Sequence, residues 1–428
     1  MSNSSKMTPH LKRNIFGGVV GNVLEWYDFA VFGFFAPIIG SQFFPSDNPM
    51  AALIKTFGVF AAGYLMRPIG GIIFGHFGDK LGRKRALQLS VMIMAIPTTL
   101  IAFLPTHAQI GLAAPILLVL IRLIQGVSVG GELVGSISFI TEIAPKNRRG
   151  FFGSFAVCSA VGGILLGSAV ATIAHGLFDA EFLKNWGWRI PFMLGFAIGG
   201  FGLWMRKGMV ETPQFEKVKE AGAIGRSPVI EAVKSMPGRI FHVVAMLVMY
   251  AGGFYMLFVW WPTYLTTIVV PPIPHALMVN TISMVVLMIL IPAMGYLSDI
   301  IGRKIVIAAA FFGTAILAYP LVIWTDHGVF SSALISQLIF AVLIAGALGP
   351  MAATLVELFP TRIRFSGIGV SYNIALAIFG GTAPLVSTWL VSRTGDIESP
   401  AYYLIAMSII SLIATLTLRK KLGGDLED

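Results

Sequence analysis

Apolar residues fill this chain in blocks of about twenty, separated by short polar or basic breaks. A helix rising 1.5 Å per residue needs about 20 mostly apolar residues to cross a bilayer. That length recurs near 14–39, 51–75, 86–104, 112–141, 151–177 and 190–206, and again near 240–262, 276–297, 305–325, 331–357, 365–391 and 400–418. Between the two sets lies a polar connector, 207–239, carrying Glu211, Glu216, Lys217, Lys219, Glu220, Arg226, Glu231 and Lys234. The pattern predicts an all-α membrane protein with twelve transmembrane helices in two six-helix bundles, 14–206 and 240–418. They are flanked by short tails, 1–13 and 419–428. Pro262, Pro271, Pro272 and Pro274 interrupt the seventh run, so its end is the hardest to place.

Composition supports a bilayer as solvent. Hydrophobic residues make up 56% of the chain and charged residues 12%, with a mean hydropathy of +0.83. A soluble domain carries about 25% charged residues. The net charge of +10 could suggest nucleic-acid binding, but its distribution does not. Of 30 Lys and Arg, 24 fall in the tails and in the loops that share their side. Lys55, Lys184, Arg189 and Arg393 fall opposite, and Arg67 and Arg122 lie within spans. Basic loops stay cytoplasmic, so both termini and the connector are expected there. No single basic face is left for a nucleic acid. The start, MSNSSKMTPHLKRN, is polar and basic, so no cleavable signal peptide is expected. Cys158 is the one cysteine and allows no internal disulfide.

The chain repeats itself. GHFGDKLGRK at 75–84 returns as GYLSDIIGRK at 295–304, matching Gly75, Asp79, Gly82, Arg83 and Lys84 to Gly295, Asp299, Gly302, Arg303 and Lys304. Glu142, Pro145 and Arg149 return as Glu357, Pro360 and Arg364. Two bundles in the same orientation are a layout that secondary transporters use to rock around a midplane site.

The repeated G-x-x-x-D-x-x-G-R-K loop resembles the signature of the major facilitator superfamily, and RLIQGVSVGGE at 122–132 resembles a fourth-helix motif of its proton-coupled members. GNVLEWYDF (21–29), YLMRP (64–68), WGWRIPF (186–192), ETPQF (211–215), ELFPTRIR (357–364) and AIFGGTAPL (377–385) are similar to its metabolite:proton symporter branch. That branch includes permeases for proline and betaine, α-ketoglutarate, citrate and shikimate. The resemblance implies a bacterial inner-membrane transporter, working as a monomer, driven by the proton gradient and needing no cofactor. Osmosensing members of the branch carry a long C-terminal heptad extension. Here only KKLGGDLED follows Arg419, so osmotic activation is not expected.

Five ionisable residues fall within spans: Glu25 and Asp28 in the first, Arg67 in the second, Arg122 and Glu132 in the fourth. Left against lipid, each would cost roughly 2.5–3.5 kcal/mol and the set on the order of 15 kcal/mol. They must therefore face a cavity or one another. Both arginines sit roughly 12–15 Å inside their helices, and Glu25 and Asp28 share a helix face. One reading is a static ion-pair cluster, to which Glu132, following the small residues Ser128, Gly130 and Gly131, is well suited. The other is a proton carrier (Asp28, then Glu25, with Glu132) beside a cationic anchor for a substrate carboxylate (Arg122, Arg67). An anion that engages the arginine frees a neighbouring carboxylate to take a proton, which couples the two.

The seven histidines all lie at span ends or in loops, so no histidine relay is expected. In the second half the cavity candidates are neutral: Tyr255, Trp260 and Tyr264, Asn280, Tyr372 and Asn373. Asp79 with Arg83, and Asp299 with Arg303, sit in turns that can dock on a neighbouring helix start, where a carboxylate is stabilised. The resemblance implies a gating latch there, together with Glu142 and Glu357. No metal-spaced His/Cys set or catalytic constellation is present, so no enzyme is expected. Uptake of a small carboxylate-bearing metabolite, an organic acid or a zwitterion, is the leading reading. A proton-driven exporter of lipophilic compounds has less use for two mid-depth arginines. A non-transporting sensor on the same scaffold would need a larger signalling segment.

Overall fold

The computed structural model describes residues 22–23, 25–73, 83–128, 130–207, 228–325, 329–360, 363–418, 422–424 and 426. Twelve apolar helical segments follow one another: α1 (25–34, continuing as Ala36–Phe43), α2 (Pro49–Ile73), α3 (Arg83–Phe103), α4 (Ala113–Ser128 and Glu132–Ile143), α5 (Arg149–Leu177) and α6 (Arg189–Lys207), then α7 (Pro237–Ile268), α8 (Ala276–Ile301), α9 (Arg303–Thr325), α10 (Phe330–Leu358), α11 (Arg364–Thr394) and α12 (Ser399–Leu416). A short helix, Pro228–Ser235, precedes α7. Among the described residues, nine helices are long and apolar enough to span a membrane, and α1, α3 and α6 add shorter apolar stretches. Large apolar side chains such as Leu112, Phe196, Phe241 and Ile289 are exposed on the outside. A water-facing surface rarely tolerates such a coat; acyl chains do.

Within the first half α2 packs on α4 and α3 on α6. Within the second, α7 packs on α11 and α12, and α9 on α10 and α12. The halves meet along two seams, α5 against α8 and α10, and α2 against α11. Four local departures from the α-helix occur in α4, α7 and α11. α4 breaks at Gly130, whose φ of 152° is closed to residues with a side chain. α7 carries π-helical turns at Met256–Trp260 and Tyr264–Ile268, on either side of Pro262, and α11 carries one at Leu376–Gly380. Proline removes an N–H and displaces the carbonyl one turn back. Such π-turns cluster at functional sites. The proline-rich seventh run thus continues as helix to Ile268 rather than ending near 262.

Candidate functional site

Where the halves face each other, α1, α5, α7, α10 and α11 line a narrow cavity. Its aromatic wall is Trp26, Tyr250, Phe254, Tyr255 and Tyr372; Val157, Ile164 and Leu348 are among its aliphatic residues. Trp26 stacks on Tyr255 at 6.1 Å, and Tyr250 meets Tyr372 edge-to-face at 6.0 Å. The Tyr255 hydroxyl is hydrogen-bonded to that of Tyr64 on α2, tying the two halves together.

One cation stands beside this wall. The buried guanidinium of Arg67 lies 5.4 Å from the ring centres of both Trp26 and Tyr64. Its Nη2 is 3.4 Å from Glu25 Oε1, and its Nε donates to Asn373 Oδ1 at 3.5 Å. Asn373 in turn donates through Nδ2 to the Gly130 carbonyl at 2.7 Å. The break in α4 exposes that carbonyl, so α1, α2, α4 and α11 are joined through one guanidinium and one amide. Two donors at this point, Arg67 Nη1 and Trp26 Nε1, are buried without a hydrogen-bond partner among the described residues. Buried donors are nearly always satisfied, which marks the pair as a place for an acceptor from outside the chain.

The remaining intramembrane charges form a separate cluster. Asp28 Oδ2 accepts from Gln125 Nε2 at 2.8 Å and from Arg122 Nη1 at 3.4 Å. Gln125 also accepts from Arg122 at 2.9 Å and donates to Thr98 at 2.9 Å. The Arg122 guanidinium lies 4.4 Å from the centres of both Phe29 and Phe32. Asp28 lines a second cavity, of about 250 Å³, with Tyr27, Thr98 and residues of α3 and α6, and its Oδ1 has no partner among the described residues.

A third group closes the basic end. Asp299, at the end of α8, accepts from the backbone N–H of Gly150 and Phe151 at 2.8 and 2.9 Å, docking on the first turn of α5. There α5 and α8 come so close that no side chain fits at Gly150 or Gly295. Arg303 binds Asp299 at 2.8 Å and Glu357 at 2.9 Å. Arg364 pairs with Glu142 at 2.7 Å, and Arg149 stands 4.0 Å from Glu357.

The chain is similar to known transporters over nearly its whole length. The glycine betaine/proline/ectoine/pipecolic acid transporter OusA of Dickeya dadantii is 34% identical over 426 residues, covering 96% of this chain and 83% of that protein. The proline/betaine transporter of Escherichia coli is 33% identical over 419 residues, covering 96% of this chain and 84% of that one. The family model for sugar (and other) transporters matches residues 15–223. The chain belongs to the major facilitator superfamily, in its metabolite:proton symporter branch. In fold it is similar to the Escherichia coli xylose transporter XylE in a partially occluded inward-open conformation (TM-score 0.73, 20% identity, 98% of this chain and 100% of that one). A crystal structure of a D-xylose–proton symporter gives a TM-score of 0.74 at 21% identity, covering 97% of this chain and 100% of that one.

This major facilitator is a multi-pass membrane transporter and not an enzyme. Of its sequence-predicted cavity residues, Tyr255 and Tyr372 line the central cavity, and Arg67, Glu25 and Asn373 adjoin it. Arg122 does not: it is packed against phenylalanines beside Asp28, so the two arginines, either of which was expected to anchor the anion, serve different clusters. Asn280, Trp260 and Tyr264 do not line this cavity either; Trp260 donates to Thr388 at 2.8 Å and packs against Trp261 and Tyr264. Asp79 and the side chains of Arg83 and Glu132 lie outside the described residues. Sequence reasoning did not single out Trp26, Tyr250, Phe254, Gln125 or Thr98. Gln125 carried a signal, being a lone amide three residues after Arg122 in an apolar run. The aromatics carried none that separated them from ordinary packing.

Proposed function

We propose that this transporter carries a small zwitterionic monocarboxylate of the proline/betaine kind inward together with protons, across a bacterial inner membrane with its basic end in the cytoplasm. The observation that carries the reading is the cavity itself. The Arg67 guanidinium stands behind the Trp26 wall, each carries an N–H without a partner among the described residues, aromatic faces line the cavity, and no carboxylate is among the lining residues. A carboxylate on Arg67 and Trp26 would satisfy both donors. A quaternary or secondary ammonium group is attracted by ring faces within about 6 Å. The relatives named for proline and betaine fit this chemistry. A di- or tricarboxylate would require a second cation beside Arg67, and the other buried arginine of the first half, Arg122, is held in the separate Asp28 cluster.

Coupling follows from the two charge clusters. A substrate carboxylate bound to Arg67 competes with Glu25 for the guanidinium and favours protonation of Glu25. Asp28, with one oxygen unpaired beside its own cavity, is the principal proton carrier in this reading. The gradient is the energy source, no cofactor is used, and a monomer suffices because the cavity is built by one chain. Proteoliposomes with an imposed inward proton gradient test the proposal. Labelled glycine betaine and proline should accumulate; citrate and α-ketoglutarate should not. Accumulation of the acids alone would overturn the substrate assignment, and accumulation indifferent to the gradient would overturn the coupling.

A further inference from the structure

On the side of the central cavity away from the basic end, the hydrogen bonds that join α5 to α8 among the described residues come from hydroxyls and an amide. Ser168 on α5 lies 19 residues beyond Arg149, roughly 28 Å from the basic end. Asn280 and Thr281 lie in the first turns of α8, and Gln337 in the second turn of α10. Thr281 Oγ1 is 2.8 Å from Ser168 Oγ and 2.8 Å from Thr172 Oγ1, both on α5. Asn280 Nδ2 donates to Ser168 Oγ at 3.1 Å, while its Oδ1 accepts from Gln337 Nε2 at 2.6 Å. The same two amides hold the distorted turn of α7. Asn280 donates to the Phe258 carbonyl at 3.2 Å and Gln337 to that of Leu257 at 2.9 Å. Pro262 has no N–H to offer Phe258, so that carbonyl is free to accept.

The geometry points to this network as the outer gate of the transporter, opening by separation of Ser168 and Thr172 from Asn280 and Thr281 while the ionic latch at the basic end stays shut. The chemistry makes the gate inexpensive to open. Thr172 already bonds the Ser168 carbonyl on its own helix at 2.8 Å, and Thr281 the Leu277 carbonyl at 2.9 Å. When the helices part, both threonines keep a partner, and Asn280 keeps Gln337 and the α7 carbonyl on its own side. Membrane hydrogen bonds between helices average roughly 0.6 kcal/mol by double-mutant cycles. The latch is different: parting it breaks the contacts among Arg303, Asp299, Glu357 and Arg149 and those of Asp299 to the start of α5 together. Charge-assisted hydrogen bonds are roughly twice as strong as neutral ones. The empty carrier therefore opens outward first, as an uptake system requires.

The inference rests on alternating access, not on which solute is carried, so its test needs no substrate. Ile164 lines the cavity. Ile164→Cys, in a chain with Cys158→Ala, is exposed to a membrane-impermeant maleimide in right-side-out vesicles and read at residue 164 by peptide mass spectrometry. Adding Ser168→Ala and Thr281→Val removes three interhelical bonds and should speed labelling roughly twentyfold, about threefold for each bond. Ser168→Cys with Thr281→Cys should crosslink under mild oxidant and bring labelling at 164 to background until reductant is added. Labelling at the parent rate in the hydroxyl-free chain overturns the gate. So does a cysteine pair that fails to crosslink, or one that crosslinks without protecting residue 164.

Discussion

Arg364 of α11 donates to Glu142 of α4 at 2.7 Å, across the boundary between the two halves. The chain contains the same pair again with the halves exchanged, Arg149 of α5 standing 4.0 Å from Glu357 of α10. Each glutamate meets the arginine of the other repeat. The repeat of Glu-x-x-Pro-x-x-x-Arg is therefore a pair of crossed clasps, and both must release when the basic end opens.

The two clasps should differ in strength. Glu142 keeps 40% of its side chain exposed, whereas Glu357 is buried with Arg303 and Arg149. A pair with its carboxylate in water contributes about as little as an exposed pair, about 0.2–1 kcal/mol, and the buried Arg364 keeps the Val356 and Phe359 carbonyls, so Glu142→Gln should change the uptake rate by less than about fivefold. Glu357→Gln leaves two buried arginines short of a partner and should lower the rate by on the order of a hundredfold. Initial-rate uptake at matched protein levels compares them. Equal effects would show that burial does not set the strength of the latch.

The separation of the two intramembrane clusters makes a second prediction. Asp28→Asn should abolish accumulation against a gradient yet allow exchange of labelled for unlabelled solute, because Asp28 is apart from the cavity wall. Arg67→Ala should abolish both, since the anion anchor is gone. Arg122→Ala should instead lower the amount of folded protein, by removing the partner of a buried carboxylate. Counterflow and accumulation, measured side by side, distinguish these outcomes. If Asp28→Asn and Glu25→Gln both accumulate normally, the carboxylates are structural.

Much of this was legible in the chain. Twelve apolar runs gave the spans because lipid requires a fixed length, and the repeats at 75–84 and 295–304 announced two like halves. The docking of Asp299 on a helix start followed from its place in a turn beside cations. What could not be read was partnership. Spacing put Glu25 and Asp28 on one face, but three residues of helix turn them far enough that α2 claims one and α4 the other. Asn280 reads as a neutral cavity candidate, but its amide is taken up by Ser168, Gln337 and a carbonyl freed by Pro262. The outer hydroxyls carried no signal, since Ser and Thr are ordinary residues of packed membrane helices.

Asn373 joins α11 to both Arg67 and the broken turn of α4. Asn373→Ala should leave the Gly130 carbonyl without that donor and let the guanidinium shift. The expected result is a KM raised roughly tenfold, with the substituted chain still inserted, from a hydrogen bond to a charged group of about 1.5 kcal/mol. Asn373→Asp should be worse, because a carboxylate cannot donate to the carbonyl and competes with the substrate for Arg67. An Asp variant with normal affinity would separate Asn373 from the anion site.

The last prediction concerns the aromatic wall, which distinguishes an N-alkylated cation from a primary ammonium. A primary ammonium carries three donors and is strongly hydrated; ring faces and aliphatic side chains leave most of those donors unmet, at a cost. Each methyl group replaces an N–H that needs a partner with surface that packs on Trp26, Tyr250, Phe254, Tyr255 and Tyr372. Affinity should therefore rise along glycine, sarcosine, dimethylglycine and glycine betaine, measured as competition against labelled betaine uptake. Trp26→Leu should flatten that series, because it removes both the ring that attracts the cation and the indole N–H offered to the carboxylate. The loss for betaine should be at least about tenfold, given roughly 2 kcal/mol for a desolvated cation over tryptophan. Glycine, which gains little from the ring, should lose less. A series that runs the other way, with glycine the best competitor, would mean the cavity supplies acceptors to the ammonium and would remove the aromatic wall from substrate selection.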